Sequence, residues 1–253
     1  MCNLPSLKDV LKEHNVKLPH HLPVGVVYCN GEWHFKIIKN VMGGGKWQVS
    51  PCPDRQQKYI EEQLSQFERV QTFETFEKKY QPEAFEAAKI FCEILKNRTL
   101  TPVKLGLIGR AGSGKTHLAT AIKIELIKHK VFVEYITMPE LENLLVEAYY
   151  GNLDAQAKLN GLISADLLIL DELDKINPTR IVLNQFHAFL DSRYRKPMVF
   201  ITNKSHNKLL ELLGETIMSR LIEDAKIVQM KNFDYRQKRL LQDLTAADEE
   251  VPF

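Results

Sequence analysis

The sequence predicts an α/β fold in which a parallel sheet is covered by helices on both faces, with a small β-rich module before it. From about residue 73 onward, short continuous apolar segments alternate with amphipathic helical segments, which is the pattern of parallel strands buried on both faces. A glycine-rich turn also stands between one apolar segment and the following helix, as in phosphate-binding loops. With 253 residues the chain can form one large core and one appendage.

Residues 1–66 are predicted to form the N-terminal module. Aromatic and aliphatic residues alternate with polar ones around Trp33, which is the pattern of a half-buried strand, and Asn30-Gly31 supplies a turn. The expected elements are a short helix over 6–14, strands over 24–29, 33–41 and 46–49, and a helical linker over 54–67.

Residues 67–245 are predicted to form the α/β domain, followed by an acidic tail over 246–253. Helices are expected where apolar residues recur at three- and four-residue spacing, and strands where they are continuous. The predicted helices are 82–96, 116–128, 139–150, 179–193, 214–222 and 235–244. The predicted strands are 104–108, 131–136, 166–170, 198–201 and 226–230.

The turn after the strand at 104–108 matches G-x-x-x-x-G-K-[ST], the P-loop pattern. Gly109, Gly112 and Gly114 allow a tight turn whose backbone N–H groups point at one anion. Lys115 supplies a positive charge for the β- and γ-phosphates, and Thr116 a hydroxyl for Mg²⁺. The remaining residues expected to bind nucleotide in this segment are Arg110, Ala111, Ser113 and His117.

A second motif, LLILDE, places Asp171 and Glu172 directly after an apolar strand. The carboxyl end of a parallel strand lies beside the phosphate loop, so Asp171 is expected to hold Mg²⁺. Glu172 is expected to point elsewhere and to polarise an attacking water as general base.

Asn203 ends the next strand, and Arg220 lies on a short helix after it. Asn203 is expected to orient the water or contact the γ-phosphate; the alternative is that Thr202 and Asn203 only cap the following helix. Arg220 is expected to stabilise charge on the γ-phosphate of a neighbouring subunit as an arginine finger. The alternative for Arg220 is a local surface ion pair.

The segments GLIGRAGSGKTHLA, LLILDELDK, VFITNKS and GETIMSRLIED, in this order, resemble AAA+ ATPases of the DnaC/DnaI/IstB type over about residues 73–239. The resemblance implies an additional-strand P-loop core, with Lys115 and Thr116 in Walker A and Asp171 and Glu172 in Walker B. It places Asn203 at sensor 1 and Arg220 at the arginine finger. Arg236, in the segment Asp234-Tyr235-Arg236, matches a nucleotide-sensing arginine of these relatives. The short segment after residue 230 agrees with the truncated lid of these loaders.

The resemblance also implies partners. The expected function is that of an ATP-dependent replicative helicase loader of a bacterial or phage system, which binds and hydrolyses ATP with Mg²⁺, contacts single-stranded DNA and assembles into a homo-oligomer through Arg220. A helical element over 138–161 is the expected DNA contact, with Tyr149 and Tyr150 as stacking surfaces and Lys158 as a phosphate contact; the alternative is that both tyrosines close the helix against the core. A second basic and aromatic group is Arg193, Tyr194, Arg195 and Lys196, for which a solvated charged face is the alternative to DNA contact.

The composition fits a reduced, cytoplasmic protein without a signal sequence or a membrane span. The net charge of +2 neither requires nor excludes nucleic acid. Trp33 after Asn30-Gly31 and the segment around Cys52 resemble the flanks of a zinc ribbon. The ligand set is broken, because Arg55 stands where a second thiolate would follow Cys52 and Cys29 has no close thiol partner in the sequence. A metal-free module that docks onto a partner protein is therefore expected.

Three other functions remain open from the sequence. An IstB-like transposition helper would share the ATPase core and act with a transposase on duplex DNA. A small-molecule kinase would need an acceptor pocket and a basic lid, whereas Asp171, Glu172, Asn203 and Arg220 favour water as the acceptor. A nucleotide-gated interaction protein with negligible turnover is disfavoured by the presence of Glu172.

Overall fold

The structure is a computed structural model that describes the backbone of residues 24–29 and 32–37, and residues 70–97, 104–129, 131–235 and 237. Contacts between Cα atoms divide the chain into two units, 1–63 and 64–253. In the first unit, β1 (Val24–Cys29) and β2 (Glu32–Ile37) pair antiparallel, with Tyr28 opposite Trp33. Of the predicted strand over 33–41, residues 33–37 lie in β2 and residues 38–41 lie outside the described residues. The predicted elements over 6–14, 46–49 and 54–67 lie outside the described residues.

The second unit is built on five parallel strands, which confirms the predicted α/β fold. They are β3 (Lys104–Ile108), β4 (Val133–Thr137), β5 (Leu167–Asp171), β6 (Met198–Thr202) and β7 (Ala225–Gln229). Their order is β4-β5-β6-β3-β7, so β6 lies between the strand before the phosphate loop and the strand that ends at Asp171. Ile108 pairs with Thr202, and Leu170 pairs with Phe200, which brings the carboxyl ends of β3, β5 and β6 to one edge.

Six α-helices belong to this unit in the part of the chain that the structure describes. They are α1 (Pro82–Lys96), α2 (Lys115–Lys128), α3 (Met138–Tyr149), α4 (Leu153–Ser164), α5 (Arg180–Ser192) and α6 (His206–Ile222). One buried cluster joins α3, α4, α5 and α6 to Leu168, Leu170 and Phe200 of the sheet. Strand residues that alternate with these, such as Ile169, point to the other face of the sheet and are also fully buried. Helix α2 contacts β4, β5 and β6, and its Leu118 and Ile122 are fully buried.

Local signals explain where several helices begin. Thr137 and Glu140 form a capping box at the start of α3, and the Thr179 hydroxyl accepts a hydrogen bond from the backbone N of Val182 in α5. The helix predicted over 139–150 is α3, and the helical element expected over 138–161 consists of two helices, separated where Gly151 has a φ of 92° and Asn152 caps α4.

Two predicted helices near the end of the unit have different outcomes. The helix predicted over 214–222 is the second part of α6, which is kinked at Gly214, where φ is 77° and ψ is 164°; the first part, from His206, was not predicted. The predicted helix over 235–244 lies outside the described residues, except for residues 235 and 237.

Candidate active site

The phosphate loop, residues 109–116, joins the carboxyl end of β3 to the amino end of α2. Gly112 and Gly114 have φ values of 80° and 92°, a backbone region that residues with a Cβ rarely adopt. A Cβ at Gly112 would also collide with the Asp234 carboxylate, and one at Gly114 would lie 3.1 Å from the Phe76 ring. These two positions therefore require glycine for both conformation and space.

Lys115 holds its charge at the centre of this loop. Its Nζ donates hydrogen bonds to the carbonyl oxygens of Gly109 at 2.7 Å and Arg110 at 2.6 Å, and to Oγ of Ser113 at 3.3 Å. The side chain is buried. A buried ammonium at a helix N-terminus makes a strongly anion-attracting site, which fits the polyphosphate of a nucleotide.

Asp171 is brought to this loop by β5 and is also buried. Its Oδ2 accepts hydrogen bonds from Oγ1 of Thr116 at 2.9 Å and from the Tyr135 hydroxyl at 2.5 Å, while its Oδ1 accepts one from the Glu172 backbone N at 2.6 Å. A hydroxyl and a carboxylate side by side are oxygen ligands that suit Mg²⁺. The structure therefore brings the predicted pair Thr116 and Asp171 together, and it adds Tyr135, which the sequence did not indicate.

Glu172 follows Asp171 but turns away from the strand direction. Its φ of 55° and ψ of 37° place a non-glycine residue in the left-handed region, which costs about 1–2 kcal/mol. The residue is exposed, whereas Asp171 beside it is buried. The strained turn thus separates the two carboxylates, one facing the loop residue Thr116 and the other facing solvent, where it can meet a water.

Asn203 is exposed and lies beside Asp174, a residue that the sequence analysis did not select. Asp174 accepts hydrogen bonds from the backbone N of Asn203 at 2.8 Å, from its Nδ2 at 3.3 Å, and from Oγ1 of Thr202 at 3.3 Å. Burial alone would raise the pKa of Asp174, but these hydrogen bonds outweigh burial and lower it. Thr202 caps the turn through the backbone N of Lys204, and Asp174 orients the Asn203 amide.

Arg220 lies at the opposite edge of the sheet from the phosphate loop of its own chain. Lys104, at the amino end of β3, donates through Nζ to the Arg220 carbonyl oxygen at 2.7 Å, whereas the loop leaves the carboxyl end of the same strand. The Arg220 guanidinium pairs with Asp191 at 2.6 Å and with Glu223 at 3.6 Å, and it lies 5.4 Å above the Tyr194 ring. The local ion pair that the sequence left open as an alternative is therefore present.

His117 points at the segment before α1. Its Nε2 lies 3.0 Å from the Thr72 carbonyl oxygen and 3.3 Å from Oγ1 of Thr75, and its ring contacts Phe76 edge-on. Burial lowers its pKa. In the loop itself, Arg110 and Ala111 are exposed and Ser113 is fully buried, while the side chain of Arg236 lies outside the described residues.

Residues before α1 and after β7 wall the loop, and of those described below only Tyr235 lies in a segment that the sequence analysis selected. The buried Gln81 binds the backbone of Lys231 through both its amide atoms, at 2.9 Å and 2.7 Å. The backbone N of Tyr235 donates to the Gly112 carbonyl oxygen at 2.9 Å, and Tyr80 stacks on Phe233 at 3.8 Å. These long-range contacts fix the segments on either side of the nucleotide loop.

The two groups suggested for DNA contact have different environments. Tyr149 and Tyr150 are 53% and 73% exposed, so they do not close the helix against the core, and Lys158 is also exposed. Arg193 is buried, because its guanidinium donates to the carbonyl oxygens of Leu162, Ile163, Ala165 and Pro197.

Arg193 therefore caps the end of α4, and a solvated face or a DNA contact is wrong for this residue. Burial lowers the pKa of Arg193 to about 10. Lys196 supports the same helix end, since its Nζ donates to the Ile163 carbonyl oxygen at 2.7 Å. Tyr194 and Arg195 remain at the surface.

The sheet order, the inserted strand β6 and the loop that presents Lys115 beside Thr116 and Asp171 define a P-loop nucleotide-binding protein of the additional-strand class. The model of the IstB-like ATP-binding protein family matches residues 52–243, and the chain belongs to this family. The predicted resemblance to AAA+ proteins of the DnaC/DnaI/IstB type is thereby confirmed.

Two curated relatives illustrate the likeness in sequence. The replicative helicase loader DnaC of Escherichia coli K12 is 28% identical over 136 residues, covering 52% of this chain and 55% of that protein. An ATP-binding protein of insertion sequence IS21 from Pseudomonas aeruginosa is 30% identical over 138 residues, covering 52% of each. The chain thus spans about half the length of the curated relatives it matches.

Solved structures share the fold. A crystal structure of the DnaC helicase loader superposes with a TM-score of 0.57 at 20% identity, covering 66% of this chain and all of that one. AMPPCP-bound DnaA from Aquifex aeolicus gives 0.55 at 23% identity, covering 72% and 57%. Among the described residues no helix is both long and apolar enough to cross a membrane.

Proposed function

We propose that this chain is an ATPase that controls the loading of a replicative helicase onto single-stranded DNA. The main support for ATPase activity is that the glycine loop, the start of α2 and the end of β5 meet at one place. The Lys115 ammonium lies inside the glycine loop, and the Thr116 hydroxyl reaches Asp171 at 2.9 Å across the edge of the sheet. This arrangement suits a nucleoside triphosphate with its divalent cation.

In the proposed reaction, the loop N–H groups and Lys115 bind the β- and γ-phosphates, and Thr116 and Asp171 hold Mg²⁺. When bound, Mg²⁺ neutralises charge that develops on the transferring phosphoryl group. Glu172, exposed on its left-handed turn, takes a proton from the attacking water. Asp174 orients the Asn203 amide by accepting a hydrogen bond from its Nδ2, and Asn203 in turn orients that water.

The proposed site is completed by a second copy of the chain. Arg220 lies at the edge of the sheet opposite its own phosphate loop, which favours a role at the nucleotide of a neighbour. A positive charge close to the γ-phosphate stabilises the transition state. This supports a head-to-tail homo-oligomer in which ATP sits between protomers.

The helicase and DNA partners are proposed from the relatives and from exposed aromatic residues. The relative from Escherichia coli K12 is named a replicative helicase loader. Tyr149 and Tyr150, exposed where α3 ends, offer faces on which bases can stack, and Lys158 on α4 offers a phosphate contact. Residues 1–66 are proposed to dock onto the partner protein; deletion of this module with partner binding intact would refute that role.

A second candidate is an IstB-like helper that acts with a transposase on duplex DNA. It is favoured by the family match over residues 52–243 and by the IS21 relative, whose identity of 30% is close to that of the helicase loader. Both functions use the same ATPase site, so the partner distinguishes them.

One variant tests both the proposed ATP hydrolysis and the proposed partner. Glu172→Gln should retain ATP and hydrolyse it at least about 100-fold more slowly, because the general base is lost; the exposed Glu86→Gln is the matched control. Unchanged hydrolysis by Glu172→Gln would show that another group is the base. ATP-loaded Glu172→Gln protein should capture a replicative helicase from its host, and capture of a transposase would favour the second candidate.

A further inference from the structure

We propose that Tyr135 is a positioning residue for the metal-binding carboxylate of Asp171. The inference rests on the proposed function, in which Asp171 holds Mg²⁺. Its central observation is the hydrogen bond of 2.5 Å from the Tyr135 hydroxyl to Oδ2 of Asp171. A short hydrogen bond to an ionised carboxylate is stronger and more directional than one between neutral groups.

The sheet register explains why this tyrosine reaches the site. β4 and β5 pair in parallel, with Tyr135 beside Ile169 and Thr137 beside Asp171. Tyr135 and Asp171 are therefore two positions apart in register, so their side chains lie on the same face of the sheet. Helix α2 contacts both strands, and its Lys123 lies 5.5 Å above the Tyr135 ring.

The three donors on Asp171 come from three different parts of the fold. Thr116 belongs to the phosphate loop and Glu172 to the turn after β5, so both move if nucleotide binding rearranges those segments. Tyr135 is in the middle of a strand, anchored on a segment that binds no phosphate. It holds Oδ2 in place independently of the loop.

Residues that orient a metal ligand affect metal affinity by roughly 10- to 100-fold in other sites. Tyr135→Phe removes one oxygen and leaves the ring and its packing against Lys123 intact. We expect this variant to bind nucleotide with wild-type affinity in EDTA. Mg²⁺ should raise its nucleotide affinity as in the wild type, but the Mg²⁺ concentration at the midpoint of this rise should be roughly tenfold higher.

The test is a Mg²⁺ titration of full-length protein with a fluorescent ATP analogue, which reports binding and not turnover. Thermal unfolding in EDTA checks that Tyr135→Phe is folded. Ser192→Ala, which removes one exposed hydroxyl near the end of α5, is the matched control and should titrate like the wild type.

The Asp171→Asn variant tests the metal site separately from the role of Tyr135. If Asp171→Asn loses the Mg²⁺ response while Tyr135→Phe titrates like the wild type, the role of Tyr135 is overturned and the metal site stands. If Asp171→Asn keeps the full Mg²⁺ response, the proposed metal site itself is wrong.

Discussion

Nε of Arg220 donates a hydrogen bond of 2.6 Å to Oδ1 of Asp191. This contact raises the pKa of Arg220, and the guanidinium is further oriented by Glu223 and the Tyr194 ring. The group is thus presented at a fixed angle at the edge of the sheet remote from its own phosphate loop. The ion pair is compatible with an arginine finger, because it orients the side chain that a neighbouring active site would use.

Arg220→Ala should reduce ATP turnover by about 10³-fold, because an arginine finger contributes 10³- to 10⁵-fold to the rate. ATP affinity of the isolated protomer should change little. Mixing Arg220→Ala with Lys115→Ala protein should restore part of the turnover, since each supplies what the other lacks at a shared site. The exposed Arg180→Ala is a control for lost positive charge. A failure of the mixture to recover any activity would count against action in trans.

Asp174→Asn should slow hydrolysis about tenfold without weakening ATP binding, since one lost orienting hydrogen bond is worth about 1–1.5 kcal/mol. In the wild type, Nδ2 of Asn203 donates to both carboxylate oxygens of Asp174. An amide nitrogen in place of one oxygen cannot accept a hydrogen bond, so the Asn203 side chain loses its fixed orientation. Steady-state kinetics of Asp174→Asn, Asn203→Ala and the double variant measure the effect. Additive losses in the double variant would show that the two residues act separately.

Arg193→Met should lower the free energy of unfolding by about 3 kcal/mol, because it removes a buried donor shared by several carbonyl groups at the end of α4. Arg195→Met, at an exposed neighbour, should change stability by less than about 0.5 kcal/mol. Urea unfolding of both variants measures this. If Arg193→Met were as stable as the wild type but bound DNA more weakly, Arg193 would be a DNA contact and not a buried cap.

His117 should make stability depend on pH. Burial lowers its pKa from 6.5, so the unfolded chain binds its proton more readily than the folded chain. The stabilising contribution is complete above pH 6.5 and is lost as pH falls through the lowered pKa of the folded state. Urea unfolding of wild type and His117→Gln at pH 7.5 and 5.5 isolates this effect, and the wild type should lose more stability on acidification. Equal losses would contradict the burial of a neutral imidazole beneath residues 72–76.

The sequence was most informative where function depends on consecutive residues. The phosphate loop and the carboxylates after β5 follow from local patterns, because a glycine turn between a strand and a helix can be seen along the chain. Tyr135 and Asp174 could not be selected in this way. Each acts on a residue of a different segment, and only the parallel register of β4, β5 and β6 brings them together.

Helix α6 shows a second reason for a missed feature. The prediction began the helix at Gly214, and the backbone does leave the helical region there, with a φ of 77° and a ψ of 164°. The feature that was missed is the helical segment before it, which begins at His206 and buries Leu209 and Leu213 in the same core as Ile217 and Leu221. This burial is a tertiary contact that the local pattern does not show.

Equilibrium binding of ATP to the folded wild-type chain, compared with Lys115→Ala and the exposed control Lys208→Ala, tests the central claim most directly. The wild type and Lys208→Ala should bind ATP with equal affinity, and Lys115→Ala should bind at least about tenfold more weakly, because a charge-assisted contact to the phosphates is lost. Folded wild-type protein without measurable affinity for ATP or ADP would contradict the claim that the glycine loop binds a nucleotide.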